Sequence, residues 1–354
     1  MQPNCILFIP VSSPSGIGEY MRSMIIATAL QQRWPTTNIH FILNTQVSYI
    51  DDCPFTVHTC NGSPTKHSKK VNEVMKNIKP DLVIFDASGR ASQFKQAKAV
   101  GAKVAFISQH NKKRSRGLKL NRLFNTDIHW VVQPDFCIKP LNYWQRFKLK
   151  VFNKKVPENV GAVFELSEKN EQVALLAQLS LTKNNYFIFN AGSGGHKIDN
   201  ELATDIYYQA AQKLQQQTAQ KCIVLFGSNY PKPLPVNEHI TCIESIDNKD
   251  FITLLLNARG CVLSAGDSLL QCIALQKPCV AAPVSPDQPS RLKTCEQEGL
   301  VFSAKATVNS LEAQATLMLD KAKYDAMTHH LKSSSAKNAL AIITGDIASL
   351  FAAK

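Results

Sequence analysis

The sequence predicts an α/β protein of two Rossmann-like, doubly wound domains facing a cleft, and three observations carry that prediction. Strand-like and helix-like stretches alternate in two successive series, each series opens with a strand that runs straight into a glycine-rich loop, and a polar segment rich in Pro and Gly separates the series. In the first half the apolar runs are Cys5–Val11, Ile39–Leu43, Leu82–Phe85, Val104–Ile107 and Ile128–Val132. In the second they are Tyr186–Phe189, Cys222–Phe226, Ile240–Ile243, Cys261–Leu263 and Cys279–Ala282. Stretches with apolar residues near helical spacing, Met21–Leu30 and Glu201–Gln216, lie between them, as crossover helices of a parallel sheet do. The boundary falls within 153–182, so residues 1–160 form one domain and 161–335 another, with a terminal helix in 336–354.

A chain of 354 residues is too long for one ordinary core and suits two. Its 44% hydrophobic and 19% charged residues are the proportions of a soluble globular protein, and no run approaches the roughly 18 apolar residues of a membrane span. The first ten residues lack a basic leader and predict no signal peptide. Ten cysteines show neither a Cys-x-x-Cys pair nor zinc spacing, and five sit inside apolar runs, which predicts reduced thiols in a cytoplasmic protein. Charge is the informative bulk property. Residues 1–160 hold 23 Lys/Arg against 9 Asp/Glu, whereas the remainder holds 17 against 18. Such asymmetry points to an anionic partner for the first half, or to a face kept soluble by charge.

Four loops carry the candidate chemistry. The first follows the opening strand as Ser12-Ser-Pro-Ser-Gly16-Ile-Gly18-Glu19-Tyr-Met-Arg22, where Gly16 and Gly18 allow a tight turn and the next helix offers its N-terminus to a ligand. Met21, Met24, Ile25, Thr28 and Ala29 are expected on that helix's buried face. Glu19 and Arg22 could reach the ligand, or simply pair with each other three residues apart. The second loop, Gly192-Ser193-Gly194-Gly195-His196-Lys197, has the glycines of a backbone nest for phosphate oxygens, and packing alone is a poor explanation for three of them in four residues. The third, Gly266-Asp267-Ser268, opens a helix in which Ser268 and Gln271 have the spacing of a capping box. The fourth places Asp287 and Gln288 in a turn after the next strand.

These motifs, in this order, resemble the GT-B glycosyltransferase superfamily, in particular the branch of the lipid II GlcNAc transferase and the UDP-sugar hydrolase of pseudaminic acid synthesis. The likeness spans the architecture nearly end to end, with shared residues confined to the loops. The first loop is similar to a Gly-x-Gly-His-x-x-Arg pattern, matched by Gly16, Gly18 and Arg22, with Glu19 in place of the histidine. The resemblance implies a nucleotide-sugar donor, UDP-sugar favoured, held by the second, third and fourth loops. Gln271 stands where relatives hold the ribose, Gln288 where they contact the sugar, and Ser245-Ile246 where they hold the base. It implies an inverting, metal-independent reaction without a cofactor, in which Glu19 is the catalytic base. No Asp-x-Asp triplet occurs in the chain.

The acceptor falls to the first domain, where Lys112, Lys113, Arg114, Arg116, Lys119 and Arg122 form a basic segment. An anionic glycan or lipid-linked acceptor of cell-envelope biogenesis is expected, met at the inner face of an anionic membrane. Nucleic acid is not expected, because the basic segment lacks interleaved aromatic residues. The alternatives are a nucleotide-sugar hydrolase or epimerase on the same fold, or a catalytically inactive binding protein.

Overall fold

Strands buried on both faces decide the architecture. The structure, a computed structural model, describes residues 2–11, 17–47 and 49–352. Its first unit contains β1 (Cys5–Pro10), α1 (Gly18–Arg33), β2 (Asn38–Asn44), β3 (Thr56–Cys60), α2 (Ser68–Ile78), β4 (Leu82–Asp86), α3 (Ala91–Ala99), β5 (Lys103–Ser108), α4 (Asn111–Gly117), α5 (Leu120–Leu123), β6 (Ile128–Val131), α6 (Tyr143–Val151) and β7 (Glu158–Asn159). All seven strands pair in parallel, in the order β3-β2-β1-β4-β5-β6-β7. Alternate side chains of β1 enter opposite cores. Ile6 and Phe8 pack with Tyr20, Ile26 and Leu30, whereas Leu7 and Ile9 pack with Val71, Met75 and Phe94.

The second unit runs through α7 (Lys169–Gln178), β8 (Tyr186–Asn190), the short antiparallel pair β9 (Lys197–Ile198) and β10 (Glu201–Leu202), α8 (Ala203–Thr218), β11 (Lys221–Leu225), β12 (Ile240–Ile243), α9 (Asn248–Asn257), β13 (Gly260–Ser264), α10 (Asp267–Ala274), β14 (Cys279–Ala282), α11 (Pro289–Gln297), β15 (Phe302–Ser303), α12 (Val308–Leu317) and α13 (Lys321–Ser333). Its main sheet is again parallel, in the order β12-β11-β8-β13-β14-β15. In both sheets the order reverses beside the first strand, between β1 and β4 and between β8 and β13. The carboxyl ends of strands at such a switch point leave a crevice where ligands of open α/β sheets bind.

The chain divides into Met1–Val163 with Ala339–Lys354, and Phe164–Asn338. The last segment, which sequence alone leaves as a separate helix, is thus part of the first unit. Its helix α14 (Leu340–Phe351) buries Ile343 and Ile347 in the first core, and Asp346 accepts a 2.7 Å hydrogen bond from the indole N–H of Trp130. Among the described residues, no helix is long and apolar enough to cross a membrane.

Candidate functional site

At the switch point of the second unit, β8 ends in Asn190, whose side chain pins the loop that follows. Its Oδ1 accepts from the Gly192 N–H at 3.2 Å, while its Nδ2 donates to Gly192 O at 3.2 Å and Leu225 O at 3.1 Å. Gly192 and Gly194 take left-handed φ values of 101° and 94° on either side of Ser193. Gly194 lies on the backbone of the loop after β11, so a Cβ there would run into Phe226 O, and one on Gly227 would run into the Ser193 carbonyl. The Asn229 N–H donates to Ser193 O at 2.8 Å and closes the contact. Packing therefore explains why position 194 is glycine, where the sequence made packing alone a poor explanation for the three glycines. Gly195 is open: a Cβ there would stand an ordinary 3.5 Å from Asn229. Among the described residues, the N–H groups of Ser193, Gly194 and Gly195 have no acceptor.

Across the crevice β13 ends in Ser264, whose hydroxyl lies an ordinary 3.5 Å from where a Cβ on either Gly192 or Gly266 would stand. Gly266, the N-cap of α10, makes no side-chain cap, so the Ser268–Gln271 capping box does not form. The helix begins at Asp267, placing Ser268 inside its first turn rather than at the cap. Gln288 is buried, with its Oε1 accepting from the Val284 N–H at 2.8 Å and its Nε2 next to Gly266. Arg291 donates to Ala265 O at 2.9 Å and pairs with Asp267 at 3.4 Å. Asp287 accepts from the Ser285 hydroxyl at 2.6 Å, which holds its carboxyl below the usual range, with Arg291 and His196 adding to the effect. Gly192, His196, Gly266, Asp267, Asp287 and Gln288 thus share one crevice. Gln271 sits one turn into α10, and Ser245 and Ile246 follow the edge strand β12, where Glu244 O accepts from the Gly227 N–H at 2.8 Å. Asn190, Gly227, Ser264 and Arg291 were not singled out from sequence, although Gly227 carries the same signal as the others, a glycine just past a strand.

In the first unit, Gly16 lies outside the described residues, and Gly18 is the first residue of α1. Helix α1 is rotated from its expected face. Tyr20, Ser23, Ile26, Ala27 and Leu30 are buried with Ile25, while Met21, Met24, Thr28 and Ala29 are only partly covered. Arg22 is among the buried residues and points to Asp86 at the end of β4. The pair is bidentate, Nε to Oδ2 at 2.9 Å and Nη2 to Oδ1 at 2.7 Å, with the Ser23 hydroxyl 3.3 Å from Oδ2. Burial raises the Asp86 carboxyl to about 6, even though Arg22 and Ser23 draw it down. Glu19 is half-buried on the first turn of α1, close enough to raise Asp86 and Lys113 electrostatically.

A cavity of about 600 Å³ opens at the carboxyl ends of β4 and β5, lined by Arg90, Lys113, Arg116, Lys119 and Arg122 without a carboxylate. Lys113 donates to Ala87 O and Arg122 to Gly89 O, both at 2.5 Å. Burial lowers Lys113 and Arg122, and the neighbouring cations add to the effect in both. The basic segment is therefore split. Arg114 turns away into hydrogen bonds with Lys139 O and Asn111 Oδ1, and Lys112 is exposed outside the cavity. Arg90, which follows a strand end and Gly89, takes a place that sequence did not assign.

No family model matches the chain, and no curated protein is similar to it in sequence. Solved structures are similar in fold. The glycosyltransferase VinC in complex with dTDP matches with a TM-score of 0.64 at 11% identity, over 98% of this chain and 99% of that one. A candidate UDP-N-acetylglucosamine 2-epimerase of Listeria monocytogenes matches at 0.62 and 15%, over 99% and 97%. The S. aureus MnaA structure with UDP matches at 0.58 and 13%, over 98% and 95%. The chain has the GT-B fold. One of these neighbours is named a glycosyltransferase and another a 2-epimerase, at identities that speak for the fold alone.

Proposed function

We propose that this GT-B protein transfers a sugar from a nucleotide-diphosphate donor, UDP-sugar favoured, to an anionic acceptor. The observation that carries the reading is the glycine loop of the second unit, whose N–H groups at Ser193, Gly194 and Gly195 stand at a switch point without an acceptor among the described residues. Diphosphate oxygens are natural acceptors for such a nest, and two neighbours of the same fold were solved with dTDP or UDP. On this reading the α10 N-terminus and Arg291 add positive potential, while Gln271 faces the ribose and Gln288 the sugar. The cation-lined cavity of the first unit takes the negative charge of the acceptor, an envelope glycan or lipid-linked glycan.

Glu19 accepts the proton of the attacking acceptor hydroxyl. The new bond forms from that oxygen to the anomeric carbon as the bond to the diphosphate breaks, and the nucleotide diphosphate leaves with the electron pair. The configuration inverts, and charge on the leaving group is met by backbone N–H groups and cations rather than by a metal ion. A thermal-shift panel of UDP, GDP, ADP, CMP and TDP tests the donor half, with UDP expected to stabilise the protein by mass action. Silence across the panel would favour a catalytically inactive binding protein. The neighbour named as a 2-epimerase supports a second reading, a nucleotide-sugar hydrolase or epimerase. That reading requires UDP-sugar to be consumed or isomerised without acceptor, whereas the transferase stays slow alone. Glu19→Gln should abolish turnover while leaving UDP stabilisation intact.

A further inference from the structure

Helix α6 is inside out. Its nine residues bury only Leu149, which packs with Leu118 and Leu123 beside α4 and α5. At about 100° per residue, Tyr143, Phe147, Val151 and Trp144 project on the side opposite Leu149. They are 68%, 46%, 55% and 69% exposed, where a surface helix of a globular protein presents polar side chains. Trp144 and Phe147 meet edge to face at 6.1 Å and Tyr143 and Phe147 stack at 6.3 Å, so the face is a continuous aromatic ridge. Past its C-terminal end Phe152 and Phe124 meet edge to face at 4.9 Å, both partly exposed, with the Lys154 ammonium over the Phe124 ring.

The charge of the segment that carries this ridge is of one sign. Between Asp135 and Glu158 the chain holds six cations, Lys139, Arg146, Lys148, Lys150, Lys154 and Lys155, and no Asp or Glu. We propose that the α6 face is a docking surface for an anionic lipid bilayer. Its aromatic ridge enters the headgroup region and the flanking Lys and Arg meet lipid phosphates. Tyr and Trp favour that interface, where one end of the ring is apolar and the other wet. An apolar face with a basic rim is the arrangement of helices that lie in the membrane plane, and the cations alone would leave four large apolar side chains in water. A second copy of the chain is disfavoured as the occupant, because a two-fold contact would bring the same six cations against themselves. The proposal rests on the surface and not on the reaction, so its test contains neither donor nor acceptor.

The full chain is mixed with phosphatidylcholine vesicles, and with the same vesicles containing phosphatidylglycerol, then sedimented. Binding to the anionic vesicles alone, weakening as salt rises, is the expected result. Trp144→Ser with Phe147→Ser should reduce partitioning at least tenfold, while Val173→Ser, an equally exposed apolar loss on α7, should not change it. Vesicles with brominated acyl chains should quench tryptophan fluorescence in the native protein and lose that effect in Trp144→Phe. Equal partitioning of the double variant overturns the proposal. So does a concentration-dependent dimer, seen by sedimentation without lipid, that the same substitutions dissociate.

Discussion

The two switch points have one topology but are built from different groups. In the first unit the crevice is walled by side-chain charge: five cations around the cavity and, beneath it, the buried Arg22–Asp86 pair. In the second it is built from backbone, with the Gly192–Gly195 loop resting on Gly227 and the few charges engaged with one another. A crevice of long cations adapts to anionic groups of varied shape, whereas a backbone cradle suits one fixed group. The difference fits a variable acceptor on one unit and a diphosphate on the other. It also means that the two sites should fail in different ways when mutated.

The largest effect is expected at Asp86. Asp86→Ala leaves Arg22 charged and buried, a loss worth about 3–5 kcal/mol of stability. All three tryptophans, Trp34, Trp130 and Trp144, lie in the first unit, so fluorescence follows that unit alone while circular dichroism follows both. The fluorescence midpoint in urea should fall steeply, with the second unit's share of the dichroism transition unmoved. If both signals shift together, the units do not unfold separately and the comparison is broken. The pair also has a pH signature. Because burial raises the folded carboxyl from 3.8 to about 6, the folded unit keeps a proton that the unfolded chain releases in that window. Its contribution to stability therefore falls as pH rises from the lower value to the upper. Asp86→Asn should remove that slope from the fluorescence-detected stability.

The mirror experiment is Gly227→Ala. With φ at 90° and the Ser193 carbonyl in the way of a Cβ, the substitution should cost about 1–3 kcal/mol from backbone conformation, with the overlap adding to it. Dichroism should register the loss and fluorescence should not. UDP stabilisation should fall with it, because the Gly192–Gly195 loop is held in place by this contact.

Why sequence revealed one crevice better than the other follows from these residues. Parallel strands buried on both faces read as near-continuous apolar runs, so ten of the strands are legible in the sequence, whereas the strand order that makes the switch points is not. Glycines at strand ends were visible too, but the partner across a loop contact is set by tertiary structure. Gly194 and Gly227 lie 33 positions apart, and nothing local ties them together. Arg22 misled for a related reason. Its place near the start of the helix offered it to a ligand or to Glu19, whereas its carboxylate, Asp86, sits 64 residues away at the end of an apolar strand. The α6 ridge escaped notice because its aromatic residues have the helical spacing of an ordinary core face, and only burial shows which way that face points.

A smaller effect separates ligand chemistry from packing in the second unit. Gly195 has room for a Cβ and no left-handed φ, so Gly195→Ala should leave stability within about 0.5 kcal/mol. A methyl group in front of the N–H groups should nevertheless weaken UDP binding, read as a reduced thermal shift. An unchanged shift would return the loop to packing alone and remove the strongest support for the donor site.

The smallest change in stability is expected in the first unit's cavity, and it decides what the cations are for. Arg116 and Lys119 line the cavity with exposed side chains, and neither makes an ion pair among the described residues. Replacing either with Ala should alter stability by no more than about 0.5 kcal/mol, or raise it slightly by relieving repulsion from Arg122. If they hold an acceptor's phosphate or carboxylate, each replacement removes a charge-assisted contact of about 1.5 kcal/mol, roughly a tenfold rise in acceptor KM with kcat and UDP stabilisation unchanged. That rise should shrink as salt increases, because exposed cations are screened over about 10 Å at 0.1 M. A KM indifferent to both residues would mean that their charge serves solubility, and the two crevices would then differ in chemistry without differing in the ligand they hold.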